Sequence, residues 1–163
     1  MIRLAETKDL DAIVKVYDAA RAYMAASGNP HQWGDDGYPH RELLEEDIEQ
    51  RHLYVIEEND AVHGVFAFMF GEDPTYGYIE DGQWPNQKPY GTIHRIASDG
   101  QIKGVFTKAF DFCRSKIDEI RIDTHRDNKT MQHVVTKHGF IRRGIIYLEN
   151  GSPRIAYQYS KEA

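Results

Sequence analysis

Residues 93–113 read I-H-R-I-A-S-D-G-Q-I-K-G-V-F-T-K-A-F-D-F-C, and this stretch joins a predicted strand to a predicted helix. We predict the strand over residues 92–97 and the helix over residues 103–116, where apolar residues repeat at helical spacing. Gly100, Lys103 and Gly104 lie at the joint. The joint is either a structural turn or an anion site, because the first amides of a helix lack internal partners and carry partial positive charge.

Length and composition favour a single domain, residues 1–163. An apolar fraction of 40% suffices for one core, although the mean hydropathy is −0.64. We expect no membrane association, because no apolar run approaches the length of a membrane span and the N-terminus lacks the apolar core of a signal peptide. Cys113 stands alone in the sequence and is expected in the core. These features predict a cytoplasmic protein.

Charge is unevenly distributed along the chain. Residues 35–81 carry 14 acidic and two basic side chains, whereas residues 88–161 carry 14 basic and seven acidic ones. Two differently charged ligands would explain this asymmetry, and so would two solvated surfaces. Because no local basic run stands out, the pattern does not favour nucleic acid as a partner.

The predicted order of elements is β-α-α-β-β-β-α-β-α-β-β, which corresponds to a mixed sheet with helices on its faces and an α/β (α+β) fold class. Thr7 is the predicted cap of the first helix. Residues 72–89 are rich in Gly, Pro, Asn and Asp and form a predicted long loop with extended structure at residues 76–80. Loops of this length in compact domains are often functional.

Two motifs resemble those of the GNAT acetyltransferase superfamily. Gln101 and Gly104 match the acyl-CoA motif [Q/R]-x-x-G-x-[G/A], but Phe106 departs from it. The second match compares residues 128–140 with N-x-x-A-x-x-L-Y-x-K-x-G-F, and four residues are in register: Asn128, Lys137, Gly139 and Phe140. Val135 replaces the tyrosine that often serves this family as the acid for the departing thiolate. The resemblance implies a three-layer α-β-α fold with a splayed central sheet.

The resemblance also implies acetyl-CoA as co-substrate and no metal. Pantetheine would pair with the strand near Ile96 and Ala97 and meet Asn128. The thioester would lie between residues 92–97 and residues 120–123. The pyrophosphate would lie on the joint, with charge from the lysine and a hydrogen bond from the threonine hydroxyl; the expected residues are Gln101, Ile102, Lys103, Gly104, Val105, Phe106 and Thr107.

Candidate catalytic residues follow from the implied position of the thioester. His94 is the nearest titratable side chain and suits a general base, although a hydrogen-bonded core histidine is an equal alternative. Glu80 is a second candidate base on the long loop. Tyr147 is a candidate acid, with a packed strand tyrosine as the alternative.

The acceptor side is predicted around an aromatic loop after the first helix. Trp33, Tyr38 and Trp84 would wall a small pocket together with Tyr78, and Asp35, Asp36 and Glu80 would favour a cation in it. The alternative is surface aromatics that pack the loops together. The histidines show no metal-ligand spacing.

The sequence therefore predicts an acetyl-CoA-dependent N-acetyltransferase that acts on a small-molecule amine by direct attack in a ternary complex. We expect it to be a monomer or a homodimer. Two alternatives remain open: a non-catalytic acyl-CoA-binding or sensing module, and an acetyltransferase of protein lysines or N-termini.

Overall fold

The computed structural model of the protein describes residues 1–33 and 37–162. Within those ranges the strands are β1 (Ile2–Leu4), β2 (Leu53–Glu58), β3 (Ala61–Phe70), β4 (Gly91–Ser98), β5 (Glu119–Thr124), β6 (Ile141–Tyr147) and β7 (Pro153–Ser160). The helices are α1 (Leu10–Ala26), α2 (Arg41–Glu49), α3 (Val105–Arg114) and α4 (Lys129–Lys137). The predicted order of strands and helices is confirmed.

The seven strands form one mixed sheet in the order β1-β2-β3-β4-β5-β7-β6, and the predicted mixed α/β class is confirmed. β4 and β5 pair in parallel, whereas β5 with β7 and β6 with β7 pair antiparallel. The register of β4 with β5 covers two residue pairs, Gly91 with Ile120 and Thr92 with Arg121. None of the helices in the described part of the chain is long and apolar enough to cross a membrane.

Two local predictions are corrected. A 3₁₀ turn over Thr7–Asp9 precedes α1, and Glu6, not Thr7, caps it: the Glu6 amide donates to Asp9 Oδ2 over 2.8 Å. The predicted extended segment 76–80 is instead a 3₁₀ turn over Pro74–Tyr76, followed by a single bridge between Glu80 and Ile145. In both places short side chains satisfy the backbone locally, which competes with longer regular elements.

The chain divides into two compact units, and each is described by itself. The first unit comprises residues 1–68 and 94–112. Its core includes Ile13 and Tyr17 of α1 and Val55 of β2, all almost fully buried. A Cβ added at Gly64 of β3 would lie 2.9 Å from Val105 Cγ1, so glycine permits the close packing of α3 on this strand.

The second unit comprises residues 69–93 and the chain from residue 113 onward. In it the long loop covers one face of the sheet, where Tyr76, Tyr90, Ile146 and Ala156 form a buried cluster. Cys113 is fully buried, and burial raises the pKa of its thiol. Whether the whole chain is one domain stays a prediction.

Candidate functional site

The joint before α3 is held in a conformation that favours glycine. Gly104 has a φ of +73° and is exposed, and its carbonyl accepts the first helical hydrogen bond of α3 from Lys108 over 2.9 Å. The helix begins at Val105, so Lys103 precedes it instead of starting it as predicted. The need for a left-handed residue explains the glycine of the motif without reference to a ligand.

Asp99 ties this joint to β3 within the first unit. Its Oδ1 accepts from the Gln101 amide over 2.9 Å, and its Oδ2 lies 2.8 Å from His63 Nδ1. The Asp99 amide donates to the His63 carbonyl over 3.0 Å, and the Gly100 amide donates to Ser98 Oγ over 3.1 Å. The amides of Gly100 and Gln101 are thus used internally, and an anion on this joint would have to use later amides.

The first turn of α3 places its aromatic residue inward. Phe106 is 9% exposed, and its ring stacks on that of Phe110 with centroids 6.2 Å apart. Val105 is also buried, whereas Thr107 and Lys103 are exposed. The departure of Phe106 from the family motif therefore adds bulk to the core, and this position offers an anion its backbone amide only.

Strand β4 contains a residue with left-handed backbone. Arg95 has a φ of +51°, its carbonyl accepts from the Tyr17 hydroxyl over 2.7 Å, and its Nη2 donates to Asp47 Oδ2 over 2.5 Å. Side chains alternate only along regular extended backbone. The expectation that His94 and Ile96 share one face therefore loses its basis; both are half-buried, and Ala97 is buried.

Helix α4 begins at the asparagine of the second motif. Asn128 is 9% exposed, and its Oδ1 accepts from the Met131 amide over 3.0 Å, which caps the helix. Val135 is fully buried. The side chain of Asn128 thus has a structural task, and its predicted contact with pantetheine stays a prediction.

Two of the proposed catalytic residues contact each other in the second unit. The hydroxyl of Tyr147 donates to Glu80 Oε1 over 3.0 Å, and that of Tyr78 donates to Glu80 Oε2 over 2.8 Å. Antiparallel pairing of Glu80 with Ile145 puts these side chains on one face. The hydrogen bond to Glu80 raises the pKa of Tyr147 and of Tyr78. Both oxygens of Glu80 therefore accept hydrogen bonds, and the Tyr147 hydroxyl donates one of them.

Trp84 is packed into the second unit. Its Nε1 donates to the Tyr76 carbonyl over 2.9 Å, and the guanidinium of Arg121 lies 3.9 Å from its ring centroid. The same guanidinium lies 3.9 Å from the centroid of Tyr90. This cation–π sandwich holds the long loop on β5. The ring and nitrogen of Trp84 are thereby occupied, and its predicted role in an acceptor pocket stays a prediction.

The polar residues of β5 were missed by sequence reasoning. Glu119, Arg121 and Asp123 alternate with isoleucines, a pattern typical of a strand with one solvated face. In the structure the long loop covers that face, and Tyr76 donates from its hydroxyl to Asp123 Oδ2 over 2.6 Å. The charged residues at alternate positions, facing a loop rich in aromatics, were the available signal.

The acceptor residues of the first unit lie near a pocket. A pocket of about 170 Å³ is lined by residues of α1, of α2 and of the loop that precedes α2. Tyr17 and two arginines, Arg21 and Arg41, are among the lining residues. The rings of Trp33 and Tyr17 pack edge to face with their centroids 5.5 Å apart. The carbonyl of Tyr38 accepts a hydrogen bond from Arg21 Nη1 over 3.1 Å. The predicted wall residues thus adjoin lining residues. Asp35 and Asp36 lie outside the described residues.

Across residues 1–33 and 37–162, no group of three or more His, Cys, Asp or Glu side chains is arranged to hold a metal ion. The residues that the sequence assigned to a cofactor are Ile96, Ala97 and residues 101–107 in the first unit and Asn128 in the second. The Gly104 joint and Asn128 each make local hydrogen bonds. The Gly104 joint presents an exposed helix start with Lys103 beside it, an arrangement that suits a phosphate.

Comparison with known proteins identifies relatives among solved structures. No protein-family model matches the chain, and no curated protein matches it. An acetyltransferase of the GNAT family from Streptococcus agalactiae is 33% identical, with a TM-score of 0.89, and the match covers 100% of this chain and 96% of that one. A putative acetyltransferase from Staphylococcus aureus is 29% identical, with a TM-score of 0.71 and 99% coverage of each chain.

A GNAT-like decarboxylase in complex with isobutyryl-CoA has a TM-score of 0.66 with 99% coverage of each chain, but its 13% identity indicates a shared fold alone. The similarity to the streptococcal protein shows more than a shared fold, because about a third of the residues are identical and the match covers nearly all of both chains. The sequence motifs, the mixed sheet and this relative agree, and the chain belongs to the GNAT family of acetyltransferases.

Proposed function

We propose that the protein transfers the acetyl group of acetyl-CoA to the amine of a small molecule. The observation that carries the proposal is the exposed Gly104 joint at the start of α3, in a chain that belongs to an acetyltransferase family. The amides from Gly104 to Thr107 and the charge of Lys103 suit a pyrophosphate. A structural neighbour that binds isobutyryl-CoA supports a coenzyme A thioester as the donor.

The reaction requires a neutral amine, a donor for the oxyanion and a proton for the thiolate. The amine nitrogen attacks the thioester carbonyl carbon, the C–N bond forms, and the C–S bond breaks with its electron pair on sulfur. His94 and Glu80 are the bases that the sequence suggests, and Tyr147 is the suggested acid. Two tyrosine hydroxyls, those of Tyr78 and Tyr147, donate hydrogen bonds to Glu80 and occupy both of its oxygens.

A small acceptor is favoured over a protein. The pocket beside α1 and α2 has a volume of about 170 Å³, which suits an amine of few atoms better than a peptide. Tyr17 lines the pocket, and Trp33 supports the Tyr17 ring.

A non-catalytic acyl-CoA-binding module is the second candidate, because Val135 is buried and carries no acid. The other sequence argument for such a module, Phe106, is weakened by the inward position of its ring. An acetyltransferase of protein lysines or N-termini is the third candidate and would need an open groove for a peptide.

The experiment that separates these functions offers the protein acetyl-CoA with two sets of acceptors in parallel reactions. One set holds small mono- and diamines, and the other holds peptides with free N-termini and lysines. Release of thiol is measured against a reaction without acceptor. We expect release with small amines. Release with peptides alone would favour a protein acceptor, and tight binding of acetyl-CoA without release would favour a binding module.

A further inference from the structure

A buried tyrosine, Tyr76, binds the half-buried Asp123 in the second unit. Tyr76 is 2% exposed, and its hydroxyl donates to Asp123 Oδ2 over 2.6 Å. Burial, together with the charge of Asp123 and this hydrogen bond, holds the pKa of Tyr76 well above its ordinary value. Tyr76 is therefore a fixed hydrogen-bond donor that keeps the carboxylate in one orientation.

Among the residues that the structure describes, Tyr76 donates to one oxygen of Asp123, Oδ2. No described residue donates a hydrogen bond to Oδ1, and the side chain is half-buried. Glu119, four residues earlier on the same face of β5, is 3% exposed, and its Oε1 accepts from Asn86, Gln158 and Ser160 at 2.6–2.8 Å. Glu119 is thus fixed by three donors on one oxygen, and Asp123 keeps its Oδ1 available to a ligand.

The position of Asp123 along β5 agrees with such a role. The parallel pairing of β5 with β4 covers Ile120 and Arg121, and Asp123 lies two residues further towards the carboxyl end of the strand. Ligands of mixed α/β sheets bind at the carboxyl ends of their parallel strands. Ala156 of β7 lies in register with Asp123 and belongs to the buried cluster that contains Tyr76.

We propose that Asp123 accepts the proton of the acceptor's ammonium group, with Tyr76 as the residue that positions its carboxylate. This inference rests on the proposed function and names its substrate class, an amine that arrives protonated. The ammonium transfers one proton to Asp123, and the freed lone pair forms the C–N bond as the C–S bond breaks. The second N–H proton neutralises the thiolate, and Asp123 returns its proton to solvent.

Other titratable groups of the second unit lie near the pair. The groups whose charges act on Tyr76 besides Asp123 are Asp73 and Tyr90, and Arg121 lies on the same face of β5 and couples to both tyrosines. Arg121 is held between two rings and by Gln158 over 2.8 Å. Arg121 stays charged over the pH range of an enzyme assay. A pH dependence of the rate that disappears in Asp123→Asn would therefore come from the Asp123 carboxylate and not from Arg121.

The test compares Asp123→Asn with the matched control Glu119→Gln across pH, with two acceptors of different basicity. One acceptor is an aliphatic amine, which is protonated near neutral pH, and the other is a hydroxylamine, which is neutral there. With the aliphatic amine, Asp123→Asn is expected to lower kcat/KM by roughly 10²–10⁴-fold near neutral pH. The loss should shrink as pH rises towards the pKa of the amine, because neutral amine then needs no base.

With the hydroxylamine as acceptor, the kcat/KM of Asp123→Asn should be close to that of the wild type. Glu119→Gln should lower the melting temperature but leave the ratio between the two acceptors unchanged, and acetyl-CoA affinity should be unchanged in Asp123→Asn. An equal loss with both acceptors would mean that Asp123 is structural, and wild-type kcat/KM at every pH would also overturn the proposal. If the wild-type protein acetylates no amine, the proposed function fails with it.

Tyr76→Phe provides a second variant that keeps the ring in the buried cluster. It removes the hydrogen bond to Asp123, so we expect a displaced acid limb of the kcat/KM profile with the aliphatic amine and little change with the hydroxylamine. Tyr90→Phe is its control, because the Tyr90 hydroxyl bonds the Asp73 amide over 2.8 Å and not Asp123. Identical pH profiles for Tyr76→Phe and the wild type would contradict the positioning role.

Discussion

At the scale of single residues, the backbone of Arg95 bears on whether His94 or Asp123 is the general base. Its left-handed backbone interrupts β4 beside His94, so strand alternation gives no reason for His94 to face the strand's ligand side. We expect His94→Gln to keep the acid limb of the kcat/KM profile that Asp123→Asn loses. The measurement is the pH dependence of thiol release with an aliphatic amine for both variants. Loss of the acid limb in His94→Gln alone would return the role of base to the histidine.

Asp9 gives a residue-scale prediction about stability. Its oxygens accept from Arg3 over 2.7 and 2.9 Å and from the Glu6 amide over 2.8 Å. The hydrogen bond from Arg3 is the main cause that holds the pKa of Asp9 below its ordinary value. A lowered pKa gives stability that is present above the unfolded-state value and is lost as pH falls through the folded-state value.

Asp9→Asn should therefore lower the free energy of unfolding by about 1–3 kcal/mol near neutral pH. The difference from the wild type should shrink as pH falls below about 4, the ordinary pKa of an aspartate in the unfolded chain, and should disappear once pH lies below the lowered pKa of the folded state. Urea denaturation at both pH values measures this. Asp11→Asn is the control, because Asp11 is exposed and pairs with the half-exposed Arg41, so it should change stability by less than about 1 kcal/mol. A loss at low pH equal to that at neutral pH would show that charge is not the cause.

At the scale of elements, the Gly104 joint and the first turn of α3 act together. Gly104→Asp adds negative charge at the proposed phosphate site and strains a backbone with a φ of +73°. Gly104→Ala adds the strain alone, because the nearest atom to its Cβ among the described residues, apart from the adjoining ones, is Lys108 Nζ at 3.9 Å. We expect both variants to lose similar stability but Gly104→Asp to lose much more affinity for CoA, measured by calorimetry. Equal affinities in two folded variants would contradict an anion site at this joint.

The elements of the fold were predictable from sequence because hydrophobic periodicity and glycine positions are local. Gly139, for instance, ends α4 with a φ of +89°, as a C-terminal glycine is expected to do. What sequence could not predict depends on contacts distant in the chain. Arg95 adopts a left-handed backbone while its guanidinium binds Asp47, 48 residues away. The residues next to Arg95 in the sequence do not predict that conformation.

The candidate site shows the same division. The Gly104 joint was predictable from its motif, and the structure adds the reason for the glycine, a positive φ. The Tyr76–Asp123 pair was not predictable, because it joins a loop to a strand 47 residues away. The sequence predicts Trp84 as a wall of the acceptor pocket, because an aromatic residue in a polar loop is typical of a ligand-binding surface. Arg121, which covers its ring, lies 37 positions away in the sequence.

At the scale of the whole molecule, charge separates along the chain into an acidic stretch, residues 35–81, and a basic one, residues 88–161. The basic stretch contains Lys103 and Lys108, both exposed around the Gly104 joint, and coenzyme A is an anion. The acidic stretch contains Glu80, whose carboxylate is exposed beside two tyrosines. This distribution suits an anionic donor and a cationic acceptor, which is the pairing that the proposed reaction requires.

The central claim is that acetyl passes from acetyl-CoA to a small amine. The direct measurement is mass spectrometry of an amine incubated with acetyl-CoA and the wild-type protein, with free CoA quantified in the same samples. The account predicts acetylated amine and free CoA in equal amounts, with neither formed when the amine or the protein is omitted. Free CoA without acetylated amine, or bound acetyl-CoA that is never consumed, would contradict it.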